Sequence, residues 1–193
     1  MIIVLAGRRV DAEGATEPRF PLQSIERVRS EIRVLLEKYR PTALVASAAA
    51  GADLLALEEA GKMGIRRRIV LPFEPQRFRD TSVTDRPGDW GSLFDKVYAE
   101  TKEAGGVVFV RQEDPKESGV ESDDEKYRQV TRQLFDVAST LARRSSQSRT
   151  ATRPQVMALA IWDGVSRGPD DITDFFIAEA RRRNIPVEVI STL

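Results

Sequence analysis

Apolar residues fall along this chain in two alternating patterns: short continuous runs, and longer stretches with spacings of three and four. Ile2 to Ala6 is a continuous run, as in a strand covered on both faces. Leu22, Ile25, Val28, Ile32 and Leu35 then mark a first helix that stops before Pro41. Thr42 to Ala46 predicts the second strand, Gly51 to Met63 the second helix with Gly64 at its exit, and Arg68 to Phe73 the third strand. The stretch from Glu74 to Gly91 is rich in Pro, Gly and charge, and is expected to be a long connection outside the core. Leu93, Val97, Thr101 and Ala104 predict the next helix, closed by Gly105-Gly106, and Val107 to Val110 the fourth strand.

Gln112 to Glu125 is mostly acidic and reads as an exposed loop. Tyr127, Val130, Leu134, Val137 and Leu141 mark another helix, and the Ser- and Arg-rich residues 142–154 are expected to be a mobile connector. Gln155 to Trp162 is the fifth main strand, Asp171 to Arg183 the last helix and Pro186 to Ile190 a closing strand. Strands alternating with crossover helices predict an α/β fold: a Rossmann-like, doubly wound, mostly parallel sheet with helices on both faces, formed by residues 1–193 as one domain. Ligands of such sheets sit beyond the carboxyl ends of the strands, at the switch point.

Composition narrows the chemistry. The 193 residues are 41% hydrophobic and 31% charged, with thirty basic residues balancing thirty acidic ones. No basic excess marks a general affinity for nucleic acid. The chain has no Cys and no His, which excludes disulfides, thiolate catalysis, Cys/His zinc sites and a Ser-His-Asp triad. Acid–base chemistry is left to Asp, Glu, Tyr or Lys, and a carboxylate-held magnesium ion stays open. The opening MIIVLA reads as a strand rather than a signal peptide, and no apolar run approaches the ~18 residues that span a bilayer, so a cytoplasmic protein without a membrane partner is expected.

Every candidate site segment follows a strand. At Ala46-Ser-Ala-Ala-Ala-Gly51-Ala-Asp53 a strand meets a helix N-terminus through side chains no larger than Ser. Free N–H groups and the helix dipole there favour an anion, with close packing of helix on sheet as the alternative. Glu58 is a candidate for a polar contact, and Glu59, on another face of the helix, reads as solvated. Gly7-Arg8-Arg9 opens a loop running to Pro21, long for such a connection, and an Arg there offers a planar fork to phosphate. Arg77, Phe78, Arg79 and Arg86 lie in a surface loop that could close over a base or phosphate. Trp162 is placed to stack on a base and Asp163 to accept from ribose hydroxyls, unless they form a core Trp and an Asp-Gly turn. Asp170 or Asp171 would cap the last helix without any ligand. Glu121 to Glu125 lacks the spacing of a calcium loop, and the run Arg143, Arg144, Arg149 and Arg153 has no aromatic for base stacking.

Together, AGRR at 6–9, ASAAAGADLLALEEAGKMGI at 46–65, VLPFEPQRF at 70–78 and LAIWDG at 159–164 resemble the SLOG superfamily, the Rossmann-like group of the Lonely-guy phosphoribohydrolases, the DNA-processing-A proteins and sensor domains of bacterial defence systems. The resemblance implies a nucleotide or nucleotide-derived ligand over the strand ends. By position, Gly7 and Arg8 match the first-loop contacts, Ser47, Gly51 and Asp53 the second, and Trp162, Asp163, Gly164 and Thr173 the last. The enzymatic members carry Pro-Gly-Gly-x-Gly-Thr-x-x-Glu, where this chain reads GPDDITD at 168–174, with Asp174 only an approximate substitute for the Glu. An acidic loop repels phosphate, so any phosphate is expected on the other loops.

The leading expectation is a non-enzymatic sensor domain for a nucleotide-derived signal in a bacterial signalling or defence system, with no resident cofactor and with a second copy of the chain as partner. The first alternative is an N-glycosidic hydrolase using Asp53, Glu58, Asp163 or Asp174. The second is a structural or oligomerisation domain with an empty pocket.

Overall fold

The computed structural model describes residues 1–110, 123–145 and 155–193. Its strands are β1 (Ile2–Gly7), β2 (Ala43–Ala46), β3 (Arg66–Leu71), β4 (Val107–Phe109), β5 (Val156–Trp162) and β6 (Val187–Ser191). They form one sheet in the order β4-β3-β2-β1-β5-β6, with every neighbouring pair parallel. The predicted α/β architecture is the observed one. Between the strands run α1 (Ile25–Tyr39), α2 (Ala52–Lys62), α3 (Pro75–Ser82), α4 (Trp90–Glu103), α5 (Asp123–Ser145) and α6 (Ile172–Arg182).

The period of two along each strand divides the core between the two faces. Ile3, Leu5, Leu44, Ile69, Leu71, Leu159 and Ile161 pack against α1, α2, α3 and α4. Val4, Val45, Val70, Ala158 and Ala160 pack against α5 and α6. The small Ala158 and Ala160 leave room for Phe135 and Phe176, which stack with centroids 4.9 Å apart. Both faces of β1 are therefore covered, which is why its sequence is apolar without alternation.

The chain builds outward from β1 through β2, β3 and β4, then returns along α5 to place β5 and β6 on the other side of β1. The order reverses between β1 and β5, and that is the switch point.

Four expectations need correction. Residues 74–91 are not a loop outside the core: α3 lies there, α4 already starts at Trp90, and Phe78, Val83 and Trp90 are buried. Pro75 sits in the first turn of α3, where its missing N–H costs nothing. Phe78, the one apolar side chain of the helix, anchors it to the core, tilted against Phe73 and Phe94. Leu22 lies in a short 3-10 turn before α1 and is exposed. Asp123 to Glu125 form the first turn of α5, where negative charge suits the helix dipole, and residues 112–122 lie outside the described ones. The expected connector begins too early, because α5 continues to Ser145 and Ala142 is buried; residues 146–154, including Arg149 and Arg153, lie outside the described residues.

Candidate functional site

A cleft of about 600 Å³ lies over the carboxyl ends of the strands at the switch point. Its floor and walls include Gly7, Ser47, Asp53, Ser82, Tyr127 and Thr173, and Arg9, Arg86 and Arg167 stand among its lining residues. Two of the wall residues are joined across the cleft, with Ser82 Oγ 2.8 Å from the Tyr127 hydroxyl.

Glycine at 7 and 51 is required by packing between loops. A Cβ on Gly7 would stand 2.5 Å from Ala52 Cβ and 2.6 Å from the Ile161 carbonyl. Gly51 has φ +102°, and a Cβ there would meet Val10 N at 2.8 Å and the Arg8 carbonyl at 2.9 Å. The two loops thus press backbone to backbone: Arg9 bridges Gly51, and Ala52 N donates to the Arg8 carbonyl at 3.2 Å. Gly51 is buried behind the cleft rather than lining it.

The N–H groups that the sequence leaves free before α2 are mostly taken up by the protein itself. Ala50 N donates to the Ser82 carbonyl, Leu54 N to the Ala49 carbonyl, and Ala49 N to the Asp53 carboxylate at 3.2 Å. Burial raises the Asp53 carboxyl to about 7, against the opposing pull of the amides of Ala49, Ser47 and Ala48. The acceptor seated at this turn is the side chain of Asp53.

The N-terminus of α6 is filled the same way. Asp171 caps the helix by accepting from Thr173 N and Asp174 N, and it also accepts from Arg167 N at 2.9 Å. Arg8 Nη1 donates to both Asp171 oxygens at 2.8 Å, Arg8 Nε to Asp163 at 2.7 Å and Arg8 Nη2 to the Val165 carbonyl at 2.6 Å. These three side chains are at most 3% exposed. Burial works to raise the Asp171 carboxyl, but the Arg167 amide, the Arg8 guanidinium and the Asp174 amide together hold it below its usual value. The planar fork of Arg8, which lines the cleft, is thus engaged by two carboxylates of its own chain.

The remaining residues singled out in the sequence divide accordingly. Ser47, Asp53, Gly7, Arg8 and Thr173 meet at the cleft, whereas Trp162, Asp163 and Gly164 lie off its lining. The Trp162 ring carries the Arg8 guanidinium, 5.4 Å from its centroid. Asp163 gives its second oxygen to Arg19 at 2.7 Å. Glu58 points away to the α1–α2 interface and pairs with Arg29 and Lys62. Glu59 is not solvated: it is 1% exposed and bonds Arg29, Arg33 and Lys62. Asp174 also lies off the cleft lining. Among the described residues no group of three or more Asp or Glu is placed to hold a metal ion, and no helix is long and apolar enough to cross a membrane.

Sequence reading missed Arg19, Arg167 and Tyr127 as contributors. Arg19 and Arg167 lie in the loops after β1 and β5, so their position after a strand was the available signal. Arg86, a loop arginine by sequence, stands at the cleft with Nε buried and, among the described residues, without a hydrogen-bond partner.

No family model matches the chain, and no curated protein matches it in sequence. Among solved structures it is similar to the DNA processing protein A of Streptococcus pneumoniae, with 15% identity and a TM-score of 0.43. That alignment covers 96% of this chain and 57% of the neighbour, so the chain spans little more than half of the neighbour's length.

Proposed function

We propose that this chain binds a nucleotide or nucleotide-derived molecule in the switch-point cleft and acts as a recognition module, of the sensor type, rather than as a hydrolase. The observation that carries the reading is the cleft itself: about 600 Å³ at the β1/β5 reversal, within the range of small-molecule sites. Its lining mixes aromatic, hydroxyl, carboxyl and guanidinium groups, a set suited to a base, a ribose and a phosphate.

Recognition is favoured over hydrolysis by the carboxylates. Of Asp53, Glu58, Asp163 and Asp174, three lie off the cleft lining, and Glu58 and Asp163 are paired with cations. Asp53 supports the second reading, since a carboxyl with a pKa of about 7 on the cleft floor has the proton affinity of a general acid. Incubation with nucleoside monophosphates, NAD, ADP-ribose and cyclic nucleotides, with thermal shift and released base both recorded, separates the readings. A shift without base release is the expected result; base release lost in Asp53→Asn would replace recognition with hydrolysis.

A further inference from the structure

The two helix N-termini that face the switch point already hold carboxyl groups of the chain, Asp53 at α2 and Asp171 at α6. A phosphate entering the cleft therefore finds both of these dipole sites occupied, and Arg8 engaged as well. The cationic groups left are elsewhere on the lining. Arg86 has a buried Nε without a partner among the described residues, and its nearest carboxylate, Asp85, is 3.8 Å away. That carboxylate is instead bonded by Arg9 Nη1 at 2.9 and 2.8 Å. Arg167 adds a third guanidinium and, among the described residues, pairs with Asp171 alone, at 3.5 Å.

Gathering three guanidinium groups at one cleft is unfavourable unless an anion neutralises them. Burial and then the repulsion of Arg9 hold the Arg86 guanidinium below its usual value, with Asp85 opposing and Arg167 adding to the effect. Asp11, the next carboxylate acting on Arg86, accepts from the amides of Arg19 and Phe20, and Glu17, Asp123, Asp124 and Asp170 line the cleft beyond it.

We propose that Arg86, Arg9 and Arg167 form the phosphate subsite of the cleft, and that the Asp85 carboxylate is the internal occupant a phosphate displaces from Arg9. This rests on the nucleotide reading and adds to it a ligand class: the molecule carries a phosphate, and that phosphate is held by arginines of the loops after β1, α3 and β5 instead of by a helix N-terminus. Displacement frees Asp85, so anion binding and the position of the 83–89 connection are linked.

The probe is inorganic pyrophosphate titrated into the full chain and followed by calorimetry, with AMP and adenosine run beside it. Arg86→Gln weakens pyrophosphate binding by about tenfold or more, the loss expected for one charge-assisted contact. Asp85→Asn tightens it by about threefold, because a competing anion is removed. Arg66→Gln, at the opposite edge of the sheet, changes nothing. Arg86→Gln should melt no lower than the wild type, since it relieves repulsion; Arg167→Gln gives an independent second variant. Pyrophosphate binding that ignores Arg86, Arg167 and Asp85, or no pyrophosphate binding at millimolar concentration, overturns the subsite. If AMP binds equally to wild type and Arg86→Gln, the subsite falls and the nucleotide reading stands. If pyrophosphate binding depends on Arg86 while AMP and adenosine add nothing, the subsite stands and the nucleotide reading falls.

Discussion

Arg8 and Asp171 form a buried two-point ion pair that ties the end of β1 to the first turn of α6 across 163 residues of sequence. The pair and its neighbour Asp163 fix the geometry of the switch point before any ligand arrives. Removing the cation leaves two buried carboxylates, Asp163 held by Arg19 alone and Asp171 by the backbone amides of Arg167, Thr173 and Asp174. Arg8→Ala is expected to lower unfolding stability by about 3–5 kcal/mol, read by urea denaturation. Arg8→Lys should recover only part of this loss, because an ammonium cannot reproduce the fork.

Asp53 supplies a pH signature. Its carboxyl is raised to about 7 in the folded chain, so the folded state holds a proton that the unfolded state releases near 4. The contribution is fully present below about pH 4 and is lost as pH rises through about 7. Asp53→Asn should remove this slope and make the protein more stable than wild type at about pH 8, by roughly 2–4 kcal/mol. Melting temperature measured against pH for both proteins checks it.

Glu59 works in the opposite direction. Burial would raise its carboxyl, but Lys62, Arg33 and Arg29 bring it down to about 2. Its contribution is present above the ordinary glutamate value and is lost as pH falls toward 2. Glu59→Gln should cost about 1–3 kcal/mol near neutral pH, with the difference vanishing in strong acid, again by urea unfolding across pH.

Gly51 and Gly164 make an internal comparison. Both have positive φ, but a Cβ at Gly164 meets nothing within 4 Å, whereas one at Gly51 collides with the backbone of the β1 loop. Gly51→Ala should destabilise by about 2–4 kcal/mol, and Gly164→Ala by about 1 kcal/mol. Equal losses would show that conformational strain alone matters at both sites.

The sheet was legible because β1, β2 and β5 are apolar on both faces, and only strands covered twice read as unbroken runs. The helix α3 was not, since its sequence PQRFRDTS has one apolar residue and no period to detect. Pro75 in its first turn was the signal that a helix begins there. Within the site, the order strand, loop, helix N-terminus predicted which segments converge. It named Asp170 or Asp171 as the cap of α6, and Asp171 is that cap, but it did not predict that Arg8 is taken up by Asp163 and Asp171 over separations of 155 and 163 residues. The groups that fill the helix N-termini, Asp53 and Asp171, lie within four residues of the amides they accept from and were visible locally, whereas the partners of Arg8 were not.

Hydrogen exchange along the chain, measured with and without AMP, ADP-ribose, NAD and cyclic nucleotides, tests the cleft most directly. At least one of these should slow exchange in peptides covering 7–9, 47–53 and 81–86, the segments that meet at the β1/β5 reversal. Protection confined to the amino-terminal edge of the sheet, or none with any member of the panel, would contradict it.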